Sequence, residues 1–481
     1  MRIMQIGNSH HAYLAHFAQL FRKKTTHAEL MQAYIDDYYW CCHTLIPAFK
    51  RLGHETFLCV PTETMSQRLW CEEQGIPWDP SAPILACLAQ IAWFQPDILY
   101  IGSASLYDDG LLDYLPYRPK VVVGWHATIT RPHMLFHNYD IILSSHRECL
   151  YMSRQQGARH TEYAFPGMPA ELATKFSAVK RTDLCFSGYW AVSHPQRNKF
   201  LFELATRLPT LPIDCAYYLG FYNQGPPCPE IVQRYNRGEV WGLAMFKAFA
   251  CSRITLNGFG SINSGHQNLS PNMRQLEGMG VGSLMLTERS DNLSAFFTEG
   301  HDLVTYATTE DLIDKALYYL GHEDEREQIA AQGKATCLKY YNLDIRARAF
   351  LDTVDRVLEA GTAPPPGSLI RALKAIVAAF RHDASVAGRE DVQTLCTQSL
   401  AAARRLMLAG DMEKALPLLE SLERLPVEGM KQLNLCRALR SAFAGEPSTE
   451  AFLRQELELW PENDEARRCL SDLVLGVSLW P

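Results

Sequence analysis

Arg274 and Glu277 stand three residues apart in the stretch Ser270-Pro271-Asn272-Met273-Arg274-Gln275-Leu276-Glu277-Gly278-Met279-Gly280-Val281-Gly282. On a helix that spacing puts both side chains on one face, so a cation and a carboxylate project together. Ser270 is a good N-cap residue, Pro271 suits the first helical position, and Gly280 and Gly282 punctuate the end. The stretch therefore predicts a short helix and a tight turn, followed by a buried strand over Ser283-Leu284-Met285-Leu286-Thr287. The unpaired N–H groups of such a helix start, with its positive dipole end, form an anion site. A phosphate and a sugar diol together would satisfy the N-terminus, the guanidinium and the carboxylate. The same spacing also fits an exposed i,i+3 ion pair on a plain crossover helix, worth roughly a few tenths of a kcal/mol.

Other residues of chemical interest sit where predicted strands end. Arg2 to Ile6 reads as a buried strand running into Gly7-Asn8-Ser9-His10-His11. Glycine there lets the backbone approach a ligand closely, and strand C-termini are where open α/β sheets bind; an ordinary β-to-α turn is the alternative. The run Val121-Val122-Val123-Gly124 delivers Trp125-His126 to a strand end in the same way. Imidazole titrates near neutral pH, which makes His126, His10 and His11 candidate general bases, although each also fits a hydrogen-bonded histidine at a turn. Asp108-Asp109, placed before Gly110, is a further base candidate that reads equally as a turn. In the second half of the chain, Asp183 to Trp190 is a strand running into a glycine turn at Ser187-Gly188, and Arg197 opens the next helix. Asn257-Gly258 begins a loop of about thirteen residues, rich in Gly, Asn and Ser, that leads to Ser270; a loop this long ahead of Arg274 reads as functional.

The elements that would hold these residues alternate. An amphipathic helix is expected from about Tyr38 to Arg51, then a strand from His54 to Val60, with further strands at Ile98–Ile101, Val121–Gly124 and Asp140–Ser145. Pro166-Gly167 and Pro169 mark a hinge. Beyond it, strands are expected at Ile213–Leu219 and Ile254–Asn257, a turn and strand at Phe296–Thr305, and helices at Glu310–Leu320, Asp324–Tyr340 and Asp344–Ala360. β-Branched strands alternating with helices argue for parallel sheets. Gly361-Thr362-Ala363-Pro364-Pro365-Pro366-Gly367 is an extended linker, and an almost wholly helical module follows it.

The chain as a whole sets the class. Its 481 residues suggest about three domains, and 47% hydrophobic residues is ample for real cores. A net charge of −7 with no long basic run argues against a nucleic-acid partner. No stretch approaches the ~20 apolar residues of a membrane span, and the N-terminus lacks the features of a signal peptide. The 14 cysteines are scattered without a C-x-x-C, which indicates neither a zinc site nor a disulfide scaffold; a reducing cytoplasm is the natural setting.

Leu276-Glu277-Gly278-Met279-Gly280-Val281-Gly282-Ser283-Leu284-Met285-Leu286 resembles the segment of GT-B glycosyltransferases whose glutamate binds the ribose hydroxyls of a sugar nucleotide. With Asn272-Met273-Arg274 ahead of it, the form is similar to the CgeB-like spore-maturation, group 1 glycosyltransferases. The likeness continues through Phe296–Tyr306 and Glu310-Asp311-Leu312 and spans roughly residues 181 to 355. Leu459-Trp460-Pro461-Glu462-Asn463-Asp464-Glu465-Ala466 resembles a tetratricopeptide repeat junction. The resemblance implies an α/β, GT-B fold of two Rossmann-like domains facing across a cleft. Residues 1–170 would form the acceptor side and 171–360 the nucleotide-sugar domain with its crossover helix. A linker at 361–368 and a tetratricopeptide-like helical domain at 369–481 would follow.

The implied activity is sugar transfer from a nucleotide-activated donor to a protein or surface-glycan acceptor, without a cofactor and without an obligatory metal. Glu277 would hold the ribose. Arg274, Asn272, Ser270, Ser187, Gly188, Arg197, Asn257, Gly258 and Gly7 would lie about the rest of the donor. His126, His10 and His11 would face the acceptor, although His126 stands where several CgeB-like sequences carry an acid. The helical tail would bind a protein partner or pair subunits. An inactive adaptor of the same shape, or a sugar-nucleotide epimerase, would share these features.

Overall fold

A computed structural model describes residues 1–360 except 108, 113–114, 116–117, 129–133, 177–178, 223–224, 226 and 260–269, and beyond 360 it describes 448–459 with a few isolated positions. The chain forms two parallel sheets. The first contains β1 (Arg2–Ile6), β2 (Glu55–Cys59), β3 (Ile98–Ile101), β4 (Val121–Trp125), β5 (Ile141–Ser144) and β6 (His160–Tyr163), in the order β2-β1-β3-β4-β5-β6. The second contains β7 (Thr182–Trp190), β8 (Cys215–Phe221), β9 (Ser252–Asn257), β10 (Leu284–Glu288) and β11 (Val304–Tyr306), in the order β11-β10-β9-β7-β8. Every pairing between these strands is parallel.

The central strands of the first sheet are covered by helices on both faces. β3, β4 and β5 are buried at every position. On one face of the first sheet, Met4, Ile6, Leu99, Ile101 and Val122 pack with Ile91 and Phe94 of the Pro83–Phe94 helix. On the other face, Ile3, Tyr100, Val121 and Val123 pack with Phe49 and with Ala347, Phe350, Val354 and Val357 of the Leu343–Glu359 helix. That helix follows the second sheet in sequence and returns to cover the first.

The expected α/β class is what forms, and several local expectations are corrected. The helix expected from Tyr38 to Arg51 is confined to Ile46–Arg51, preceded by a helix at His27–Asp36. Tyr38 and Trp40 between them take positive φ (59° and 53°), which no α-helix accommodates. The glycine turn expected at Ser187-Gly188 is strand: β7 stays paired with β8 from Leu184 through Trp190. Gly220 is likewise inside β8, paired with Tyr189. The key helix runs Met273–Gly280, so neither Ser270 nor Pro271 begins it. The cap is Asn272, whose side chain accepts from the Gln275 N–H at 2.9 Å while the Gln275 side chain accepts from the Asn272 N–H at 3.0 Å. This reciprocal capping box satisfies two otherwise unpaired donors, which a Ser270 cap would have left open.

The linker expected at 361–368 and most of the tail expected at 369–481 lie outside the described residues. Within the tail, Thr449–Leu459 is a helix with Leu453 and Glu456 buried.

Candidate functional site

In a doubly wound sheet the ligand crevice opens where neighbouring strands lead their connections to opposite sides. In the first sheet that point lies between β1 and β3, and in the second between β7 and β9. Both open into one cleft of about 580 Å³. Asn8, Gly102 and Ser103 line it from the first sheet, and Ser187, Gly188, Asn257 and Gly258 from the second. The Met273–Gly280 helix adds Arg274 and Glu277, and the Pro195–Arg207 helix adds Arg197.

Arg274 and Glu277 form a partly buried pair, Nη1 to Oε2 at 2.9 Å, with Glu277 only 5% exposed. The exposed surface pair that the spacing also allowed is thereby excluded. Arg274 lies over the Phe249 ring at 4.8 Å and points Nη1 at the Met245 sulfur, 3.2 Å away, so its guanidinium is packed in place. Burial pushes the Glu277 pKa upward, against the pull of Arg274. The close approach to Arg274 is an ion pair whose angle makes no hydrogen bond, so Oε2 of Glu277 keeps its acceptor capacity. A buried carboxylate oxygen in that condition suits a hydroxyl donor.

Arg197 is the second cation. Its Nη2 donates to the Tyr189 carbonyl at 2.7 Å, while its buried Nε has no hydrogen-bond partner among the described residues. Burial and the nearby Arg274 charge lower its pKa to about 10. Two guanidiniums that repel one another across a cleft whose described lining holds a single carboxylate make a site for a polyanion.

The polar residues around this core hold it in place. Asn272 Nδ2 donates to Asn257 Oδ1 at 3.3 Å, Asn257 Nδ2 donates to Thr287 Oγ1 at 2.8 Å, and Gln275 Nε2 donates to Ser270 Oγ at 2.9 Å. Ser270, 2% exposed, sits behind the cleft, whereas Asn257 and Asn272 reach its wall. Gly278 lets the helix lie close to the sheet, because a Cβ there would collide with the Met285 side chain and meet Thr255 at 3.1 Å. Gly7 is packed against Val60 and Cys59, and its neighbour Asn8 takes the lining position.

On the opposite wall, His126 is 1% exposed, and its pKa falls to about 4 through burial and the nearby His146. His10 caps the His11–Phe21 helix, accepting from the Ala12 N–H at 3.3 Å, and its Nδ1 lies 3.3 Å from the Tyr189 hydroxyl across the cleft. His11 is the first residue of that helix, exposed, and is not part of the lining. The structure thus brings together His126, His10, Arg197, Arg274, Glu277, Asn272, Asn257, Gly258, Ser187 and Gly188, and leaves His11, Gly7 and Ser270 out of the lining. Asp108-Asp109 lies outside the residues whose side chains are described. The sequence reading missed His146, Ser145 and Thr128. Ser145-His146 directly follows β5, so the rule that singled out His126 after β4 would have found them.

Residues 197–352 match a family described as glycosyl transferase-like. The match contains Arg197, Arg274 and Glu277 and stops short of the first sheet. No curated protein matches the chain. Among solved structures, Anabaena HepE in complex with UDP-glucose is 11% identical, with 74% of this chain and 100% of that chain covered and a TM-score of 0.48. A glycosyltransferase from Rickettsia africae is 10% identical, with 74% and 98% covered and a TM-score of 0.48. AviGT4, a glycosyltransferase involved in avilamycin A biosynthesis, is 14% identical, with 75% and 99% covered and a TM-score of 0.47. Among the described residues no helix is long and apolar enough to cross a membrane, and no cluster of three or more His, Cys, Asp or Glu could hold a metal ion.

Proposed function

We propose that the protein is a GT-B-type, CgeB-like glycosyltransferase that moves a sugar from a nucleoside-diphosphate donor to an acceptor hydroxyl. The observation that carries this reading is the buried Glu277 beside Arg274 and Arg197 at the mouth of two strand switch points. Glu277 receives the ribose hydroxyls. Arg274, Arg197 and the start of the Met273–Gly280 helix hold the diphosphate. As the bond from the anomeric carbon to the phosphate oxygen breaks, negative charge grows on the departing diphosphate, and two fixed guanidiniums stabilise it without reorganisation. That positive charge is sufficient for a metal-independent reaction.

The acceptor enters between the sheets on the side of His126. A ring neutral at physiological pH accepts the hydroxyl proton as the new bond to the anomeric carbon forms. Its low basicity favours late proton transfer, once charge has built up on the acceptor oxygen. The region beyond residue 360 serves, in this proposal, as a tetratricopeptide-like module that recruits a protein or surface-glycan acceptor or pairs subunits in the cytoplasm.

The test is a thermal-shift series with UDP, GDP, CDP, dTDP and ADP. At a ligand concentration of about 100 times Kd, mass action adds roughly 2.7 kcal/mol of stability. One nucleotide should raise the midpoint of the wild type and raise that of Glu277→Ala clearly less. A folded wild-type protein that responds to none of them would sink the proposal.

A further inference from the structure

Beside the cleft lies a second cavity of about 540 Å³, walled by the ends of β4 and β5, the segment after β6 and the Leu343–Glu359 helix. His43 and Trp125 line both spaces, with ring centroids 4.5 Å apart and planes tilted by 49°. His43 is 7% exposed. Its hydrogen bonds run through its backbone, from Gln5 Nε2 to its carbonyl at 2.8 Å and from its own N–H to the Trp40 carbonyl at 3.1 Å. Among the described residues, therefore, the imidazole itself has no hydrogen-bond partner. Because His43 lines both spaces, its ring is open to a guest in either of them.

The rest of the lining indicates what enters. Tyr163 and Phe165 present an edge-to-face aromatic pair, centroids 4.8 Å apart. Asp352, Asp355 and Glu359 follow one another along one side of the helix and are all exposed at the rim. Arg356 is matched by Glu162 at 3.0 Å, and Arg346 lies over the Phe165 ring. Carboxylates therefore outnumber the cations left to oppose them, which disfavours an anionic guest. Flat apolar faces among acceptors for hydroxyl protons suit an uncharged, polyhydroxylated one.

We propose that this cavity holds a neutral saccharide portion of the acceptor, whose reacting end passes His43 and Trp125 into the cleft. The proposal rests on the glycosyltransferase reading and adds the acceptor's chemical class to it.

Ala349 lines the cavity and is exposed on the helix, so Ala349→Trp fills the space without entering the core. Saturation-transfer NMR on the full chain, with maltotriose, cellotriose and chitotriose as neutral probes and trigalacturonic acid as the anionic one, reads the site. A neutral trisaccharide should bind the wild type and lose more than about tenfold in affinity in Ala349→Trp, with trigalacturonic acid excluded. The nucleotide-induced midpoint shift of the variant should stay at the wild-type value, which also shows that it folds. The inference is overturned if no neutral probe binds, if Ala349→Trp binds as well as wild type, or if the anionic probe is preferred. A nucleotide shift without saccharide binding removes this inference alone. Saccharide binding with no nucleotide shift removes the glycosyltransferase reading, and the acceptor assignment with it.

Discussion

Glu277 and Arg274 gain their chemistry from burial. In water their i,i+3 pairing would contribute little, but within a wall of Phe249 and Met245 the guanidinium is held and the carboxylate keeps an unused acceptor. His126 on the opposite wall permits a separate test. If its neutral ring accepts the acceptor proton, His126→Asn should lower kcat by about 10²- to 10⁴-fold while nucleotide affinity stays unchanged. Loss of nucleotide binding in that variant, measured by titration, would instead assign His126 to the donor side. The spacing of Arg274 and Glu277 was legible in the sequence, but their burial was not, since it depends on Phe249 and Met245 from another helix. His10 and His11 show a second limit. Their rings stay 4.3 Å apart, yet only His10 lines the cleft, because the helix begins at His11 and leaves it exposed.

At the scale of elements, the Met273–Gly280 helix is fixed by its start and by its contact with the sheet. Asn272→Ala removes the capping acceptor for the Gln275 N–H and the bond to Asn257, and should cost about 1 kcal/mol in denaturant unfolding. It should also weaken nucleotide binding, because the helix start faces the cleft; an unchanged unfolding midpoint would contradict the capping assignment. The sequence contained the better signal, Asn272 followed three residues later by Gln275, but Ser270-Pro271 has the composition of a helix start and drew the boundary two residues early. Its end was legible: Gly282, at φ +81°, takes a conformation that side chains disfavour. At Ser187-Gly188 local composition suggested a turn, and pairing with β8 overrode it.

At the scale of the whole molecule, two sheets place their switch points across one cleft, and the Leu343–Glu359 helix joins the core of the first. The alternation of strands and helices made both sheets legible, whereas no local pattern could show that Cys42, Trp125 and Arg346 would enclose a second cavity. Burial has a further consequence that belongs to the whole fold. The pKa values of His27, His126 and His194 are lowered to about 4 and that of His43 to about 3, chiefly by desolvation. An unfolded chain, with histidines near their ordinary value of 6.5, binds more protons than the native one as pH falls from there toward 4. Stability therefore rises with pH across that window and is lost on acidification. The raised carboxyls of Asp37, Glu63 and Glu277 act in the opposite sense, but among the described residues they are fewer than the lowered histidines. The thermal midpoint should fall between pH 7 and pH 5, and His27→Phe, which keeps the stacking against Phe57, should flatten that fall. A midpoint that holds or rises on acidification would contradict the account.

The central claim is that Glu277 holds a ribose diol, and a calorimetric titration tests it most directly. The ribonucleoside diphosphate with the largest thermal shift and its 2′-deoxy form would each be titrated into wild type and into Glu277→Ala. Removing the hydroxyl should cost the wild type about tenfold in affinity and cost Glu277→Ala nothing, so that the two changes are fully coupled. An equal deoxy penalty in both proteins would show that Glu277 does not touch the ribose.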